Sequence, residues 1–308
     1  MKNPCVSVIL PVYDVEPYLA KCLDTVCGQT LENIEILVVN DCSPDNSDAI
    51  IQNYMKRDPR IRYIKHEENL GLGGARNTGI ENAKGEYQWH IDSDDFIDSN
   101  ACEFLYNTAC ANEVDVLSFS GLNFTEGNAF SDNYFARDRH VCDRVMRGVD
   151  FMAKARAKNV FYCAVWLNLV KSDFIKPFAN KFPFRLNCAH QDTDVTPVLF
   201  TEAERVMCIH YAPYFRQVRA DSITGVGETK KKMVDKLAVT QSLVDYIQKK
   251  KIKFTHPICE FAFKDFNYFR TIYANNLAAL KDPDFDLAFV QLDSKFSYIK
   301  ANYGRPFG

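Results

Sequence analysis

Strand-like and helix-like segments alternate at a short period through the first third of the chain, and this pattern restricts the fold more than any other feature. Residues 6–11 (VSVILP) form a continuous apolar, β-branched run, as expected of a strand buried on both faces. The spacing of Tyr18, Leu19, Cys22, Leu23 and Val26 predicts a helix over 16–29. Residues 35–40 (EILVVN) read as a second strand and 45–56 as a second helix, with Asp45 as its N-cap. A third strand follows at 61–66, then a Gly-rich turn at 69–74, a helix over 75–83 and a fourth strand over 87–91. Such alternation implies an α/β fold with a mostly parallel central sheet flanked by helices. Ligands bind beyond the carboxyl ends of strands in sheets of this kind. Tyr13 and Asp14, Asp41, and Asp92 all fall there, after the first, second and fourth strands.

Regularity weakens after a further strand at 114–119. Residues 123–144, rich in Asn, Asp and Arg, read as an extended loop or hairpin. A helix from Gly148, an aromatic-rich stretch at 160–170 and a loop at 177–194 suggest a second lobe, and the chain from about Gly225 reads as helical. The expected organisation is 1–115, 116–225 and a helical C-terminal region, 226–308. The formal net charge of −3 offers no global reason to bind nucleic acid, so an anionic substrate needs a local cation. Eleven cysteines without a C-x-x-C pair predict reduced thiols rather than a zinc site or a disulfide framework. No stretch reaches the roughly 18 apolar residues of a membrane span. With no signal-peptide pattern after Met1, the expectation is a soluble or peripheral protein on the cytoplasmic side.

Asp92-Ser93-Asp94-Asp95 places three carboxylates within four residues at a strand end, where they repel one another unless a cation or solvent compensates. Mg²⁺ and similar hard ions take one or two carboxylates plus substrate phosphates. Asp92 and Asp94 suit that arrangement, whereas a cluster standing alone is also compatible with a solvated acidic turn. Aspartate-nucleophile phosphohydrolases carry a similar D-x-D, but near the N-terminus and with Thr or Val where this chain has Phe96. Gly71-Leu72-Gly73-Gly74-Ala75-Arg76 does not complete a dinucleotide fingerprint, because Arg76 stands at the third glycine. A Gly-rich helix start before Arg76 still suits a phosphate-bearing ligand; an ordinary surface arginine is the alternative.

Residues 6–13 (VSVILPVY), 38–45 (VVNDCSPD), 71–79 (GLGGARNTG) and 85–95 (GEYQWHIDSDD) together resemble family 2 glycosyltransferases of the GT-A fold, in order and spacing over roughly the first 115 residues. The resemblance implies that Pro11, Val12 and Tyr13, with Glu16 nearby, cradle a nucleoside. It also implies that Asp41 binds the uracil imide, that Asp92 contacts the ribose with Ser93 and Asp95 alongside, and that Asp94 ligates Mn²⁺ or Mg²⁺. Arg76 would lie near the base or diphosphate. Asn40 departs from the family's usual second aspartate but leaves Asp41 intact. The family's aromatic-x-Glu-Asp segment is matched by Ala189-His190-Gln191-Asp192, which makes Asp192 the expected general base, with Gln191 replacing the glutamate. Asp192 read only as a loop acid, with Asp194 or another residue as the base, remains the alternative.

Residues 214–219 (YFRQVR) followed by Ser222-Ile223-Thr224 resemble the family's tail, where Arg216 or Arg219 would neutralise a departing diphosphate or simply belong to a closing strand. Trp166 lines an acceptor site or packs in the core. Lysine clusters at 230–232 and 249–251 beside Phe254, Phe261, Phe263, Phe266 and Phe269 suit either a membrane-surface helix or a packed one. The implied activity is inverting hexosyl or N-acetylhexosaminyl transfer from a UDP-sugar to an oligosaccharide or lipid-linked glycan, in bacterial capsule, lipooligosaccharide or other surface polysaccharide synthesis. A catalytically silent sugar-nucleotide binding module is the other class to be distinguished.

Overall fold

The computed structural model describes residues 3–125, 135–219, 229–280 and 283–303. Its first third runs β1 (Val6–Val12), α1 (Glu16–Cys27), β2 (Ile34–Asn40), α2 (Ser47–Met55), β3 (Ile61–Lys65), α3 (Gly71–Asn82) and β4 (Tyr87–His90). The middle contains β5 (Phe96–Ile97), α4 (Ala101–Ala111), β6 (Val116–Ser118), β7 (Gly121–Phe124), β8 (Val145–Met146), α5 (Gly148–Ala157), β9 (Asn168–Lys171), α6 (Ser172–Ala179), α7 (Asp192–Glu202), β10 (Val206–Cys208) and β11 (Tyr214–Gln217). Three helices follow: α8 (Lys230–Lys249), α9 (Pro257–Leu280) and α10 (Pro283–Tyr303).

The main sheet has the order β3-β2-β1-β4-β9-β6-β10-β8. β1 pairs in parallel with β2 and β4, and β2 with β3. β9 enters antiparallel between β4 and β6, and β8 closes the far edge antiparallel to β10. β1 and β2 are buried along all seven residues each, as unbroken β-branched runs require in a sheet covered on both faces. Side chains alternate between the two faces: Val6, Val8, Leu10 and Val12 pack with α1, α2 and α4, while Ile9 and Leu37 face the opposite core.

That opposite core continues into the C-terminal helices. Leu237 and Leu243 of α8, Phe266 and Phe269 of α9, and Phe296 of α10 join one cluster with Phe200 of α7 and Ile9 of the sheet. Phe266 and Phe296 stack at 4.6 Å. Phe254 is buried, and Phe261 and Phe263 are half-buried against the same core, so these aromatics form a packed helical layer. Among the described residues no helix is long and apolar enough to cross a membrane, and all eleven cysteines are free.

The helix expected over 75–83 begins earlier, at Gly71. The 69–74 segment is therefore largely the first turn of α3, and its glycines serve packing. A Cβ on Gly73 would lie 2.0 Å from the carbonyl oxygen of Arg185, and one on Gly71 would meet the backbone of Asn187 at 2.8 Å. Asn77 completes the join: its amide donates to the Phe184 carbonyl at 2.8 Å and accepts from the Phe184 N–H at 3.0 Å. The Gly-rich motif is thus where the segment preceding α7 lies directly on α3.

Candidate functional site

The carboxyl ends of β1, β2 and β4 meet, as their shared direction requires. The Asp41 N–H donates to the Val12 carbonyl at 2.9 Å, and Ser93 Oγ to the Pro11 carbonyl at 2.7 Å. Tyr13 leaves this edge about half exposed, beside a left-handed Asp14 at φ 53° whose N–H is held by Ser43. Glu16 has a structural partner: its carboxylate accepts from the N–H and amide of Asn46, tying the start of α1 to that of α2. The N-cap of α2 is Asn46 rather than the expected Asp45, because the helix starts at Ser47; Asp45, one residue before the cap, accepts from the Ser47 N–H at 3.0 Å.

Asp41 is 2% exposed. One oxygen, Oδ1, accepts from the Leu70 N–H at 2.9 Å and lies 2.6 Å from His66 Nδ1. The other, Oδ2, is buried with no hydrogen-bond partner. An acceptor in that condition is costly unless a ligand supplies a donor. His66, whose other ring nitrogen contacts Thr78 Oγ1 at 2.9 Å, fixes the carboxylate's orientation. Sequence reasoning used the ends of β1, β2 and β4 and passed over His66, although it follows β3 at the same edge.

The acidic cluster is three differently placed carboxylates. Asp92 Oδ1 pairs with Arg76 Nη2 at 2.7 Å. Arg76 is 2% exposed and leaves Nε and Nη1 buried without partners, with its guanidinium 5.7 Å from the Phe184 ring. Asp94 lies 2.9 Å from Arg219 Nε, and Arg219 also sits over the Tyr18 ring. Burial and then the Asp92 charge push the Asp94 carboxyl up, against the pull of Arg219 and Arg216. Asp95 is buried and structural: it accepts from Tyr214 Oη at 2.5 Å and the Gln217 N–H at 2.7 Å, binding the cluster to β11. Sequence reasoning missed Tyr214, which also accepts from the Asp92 N–H at 3.1 Å; a tyrosine in a strand carries no signal for that role. Trp166 stacks on Tyr214 at 4.3 Å and is 5% exposed, which places it in the core.

Among the described residues no group of three or more His, Cys, Asp or Glu could hold a metal ion by itself. The donor set still suits a hard divalent ion that takes one carboxylate and completes its shell with ligand phosphates. A cation at Asp94 would relieve the mutual repulsion of Asp92 and Asp94.

Asp192 is the first residue of α7 and partly exposed. Burial raises its carboxyl pKa, with Arg76 opposing, Asp92 adding to the rise and Lys236 opposing. The same neighbours place Asp192 within electrostatic reach of the Arg76–Asp92 pair. His190 precedes it in a left-handed conformation at φ 61°, and the buried Gln191 leaves Oε1 without a partner. Asp194 is 1% exposed, paired with Arg185 Nε at 3.2 Å, and burial pushes it up to about 6. It belongs to the join between α7 and the 184–187 segment, whereas Asp192 is the one of the two that the Arg76–Asp92 pair acts on. Ser222-Ile223-Thr224 lies outside the described residues.

Residues 7–158 match the model of Glycosyl transferase family 2. The uncharacterized glycosyltransferase EpsJ of Bacillus subtilis (strain 168) is 33% identical over 225 residues, covering 72% of this chain and 64% of EpsJ. Glycosyltransferase GlyA of Streptococcus pneumoniae serotype 4 is 32% identical over 227 residues, 72% of this chain and 32% of GlyA. The chain thus spans less than two thirds of either relative. Residues 1–349 of TarS from S. aureus, solved in complex with UDP-GlcNAc, superpose with a TM-score of 0.70 at 18% identity, covering 94% of this chain and 80% of that one. That likeness establishes the GT-A fold.

Proposed function

Because the chain belongs to Glycosyl transferase family 2, we propose that it transfers a sugar, with inversion, from a UDP-sugar to a hydroxyl of a bacterial surface glycan. The observation that carries the reading is the buried, unpartnered Oδ2 of Asp41 at the strand edge shared with the acidic cluster. It is an acceptor waiting for a ring N–H, which uracil has at N3 and cytosine lacks. Tyr13, next to Pro11 and Val12, covers the nucleoside, and Asp92 with Arg76 orients the ribose and the first phosphate.

Asp94 holds Mn²⁺ or Mg²⁺, which supplies Lewis-acid stabilisation of the diphosphate. Arg219 and Arg216, the cations beside Asp94, add positive charge where the leaving UDP gains negative charge. Asp192 accepts the proton of the acceptor hydroxyl as its oxygen bonds to the anomeric carbon and the carbon–oxygen bond to UDP breaks. Such base catalysis contributes about 10²–10⁴-fold. The raised carboxyl of Asp192 makes it a stronger base than an exposed aspartate once ionised.

A panel of UDP-sugars with Mn²⁺, read as release of UDP and as protection from thermal unfolding, tests the donor class. EDTA and Asp94→Ala should each abolish release; release that survives both rules out the metal. Asp192→Asn should bind UDP normally and turn over about 10²–10⁴-fold more slowly. Near-normal turnover would reject Asp192 as the base.

A further inference from the structure

Helix α8, outside the half of the chain that binds the donor, reaches the turn leading into Asp192. This turn contains two left-handed residues, Asn187 (φ 47°) and His190 (φ 61°), a backbone path that needs support from its surroundings. Support comes from two sides. From α3, the Leu70 carbonyl accepts from the Asn187 N–H at 3.0 Å, and Gly71 lies against Asn187. From α8, Asp235 Oδ2 accepts from the Ala189 N–H at 2.9 Å, and Lys231 Nζ donates to the Asn187 carbonyl at 2.7 Å. Lys231 and Asp235 are themselves paired at 2.6 Å, so the two contacts act as one clamp.

One residue along α8, Lys236 Nζ pairs with Asp265 Oδ1 of α9 at 2.7 Å, with both side chains less than a fifth exposed. The second oxygen of Asp265 is buried and unpartnered. We propose that α8 supplies the positioning residues of the base: Asp235 holds the turn that aims Asp192, and Lys236, anchored by Asp265, is the cation facing it from the C-terminal helices. The proposal rests on the reading of Asp192 as the base.

Three charged groups act on Asp192 from the elements around it, Arg76 of α3, Asp92 after β4 and Lys236 of α8, and Asp192 in turn acts on Cys163 ahead of β9, which also feels Asp265 and Arg156. Arg76 is paired with Asp92, which the proposed donor would contact, so its influence changes with donor occupancy. The Cys163 thiol is pushed well up, chiefly by burial, and stays neutral. Lys236 is bound into the helical layer, and donor binding leaves it in place. It favours the ionised carboxylate that the base needs before it can accept a proton.

The test uses the full chain and three variants, Asp235→Ala, Asp235→Asn and Lys236→Met, with Lys236→Gln as a second choice if the methionine variant fails to fold. The pKa of Asp192 is read by ¹³C NMR of Asp-labelled protein, assigned by comparison with Asp192→Asn. Removing the Lys236 charge should raise it. Backbone exchange at Ala189 should accelerate about tenfold or more in Asp235→Ala, whereas Asp235→Asn, which keeps an acceptor oxygen, should stay near wild type. UDP–Mn²⁺ affinity should hold in all three, and the acidic limb of UDP-GlcNAc hydrolysis should move upward in Lys236→Met. An unmoved Asp192 pKa, or unchanged exchange at Ala189, overturns the proposal. Undiminished turnover in Asp192→Asn would instead reject the base reading, and the NMR and exchange results would still report the clamp.

Discussion

Replacing Asp41 with asparagine keeps the shape of the proposed nucleobase site and reverses one hydrogen-bond direction. Asn Oδ1 inherits the Leu70 N–H and the contact with His66 that Asp41 Oδ1 holds at 2.9 and 2.6 Å. Those two contacts fix the amide, so Nδ2 must stand where the unpartnered Oδ2 now lies. A uracil N3–H would then meet a donor instead of a carboxylate. The lost charge-assisted bond is worth about 1.5–3 kcal/mol, and a buried donor left unsatisfied costs about 1–3 kcal/mol more. Part is recovered because the free variant no longer buries an unpartnered carboxylate oxygen. A net loss of about 3 kcal/mol corresponds to roughly 100-fold weaker UDP binding. Isothermal titration of UDP and CDP with Mn²⁺ near neutral pH measures this directly. The CDP-to-UDP affinity ratio should rise, because cytosine N3 accepts where uracil N3–H donates. A Kd for UDP within about threefold of wild type, in a protein that melts normally, would refute the assignment.

Gly73→Ala should destabilise the fold by about 1–3 kcal/mol, because its Cβ would lie 2.0 Å from a backbone oxygen that cannot swing away. Thermal unfolding checks the stability, and turnover should fall with it while UDP affinity holds. Asp194 gives the protein an acid-favoured increment of stability. Burial lifts its carboxyl from 3.8 to about 6, so the folded state holds a proton that the unfolded chain has already released. The increment is complete below about pH 4 and lost as pH rises through about 6, a gap of about 3 kcal/mol. Asp194→Asn should flatten the melting temperature across that interval, and an unchanged pH profile would show that Asp194 titrates normally. Tyr214→Phe strips a donor from the buried Asp95 and should cost about 1–3 kcal/mol by denaturant unfolding.

The first third of the fold was readable because its signals are local. Runs such as VSVILP and EILVVN declare strands buried on both faces, and strand direction alone sends Tyr13, Asp41 and Asp92 to one edge. Asp192 was singled out only through the resemblance, because the turn before α7 and the helix's first three residues were read as part of a loop over 177–194. That turn is set by contacts with Leu70, Lys231 and Asp235, which are about forty to a hundred and twenty residues away in the chain. The glycines of α3 suggested a phosphate cradle for the same reason: the residues they make room for, Arg185 and Asn187, are over a hundred positions distant. β9 was hidden for another cause. It is only four residues long and crosses antiparallel into a sheet whose preceding rhythm is parallel. Asp95 and His66 show a further limit, since an acid or histidine at a strand end looks alike whether it meets ligand or holds a neighbour in place.

The chain's two tryptophans, Trp89 and Trp166, both lie against Tyr214. Through the Tyr214 hydroxyl they are one bond away from the acidic cluster. Native indole emission therefore comes from rings packed beside the proposed donor site. If the proposed donor moves Asp92, the ring stacked at 4.3 Å is perturbed through its hydroxyl, and emission should change as the site fills. Occupancy could be followed in real time, without a label.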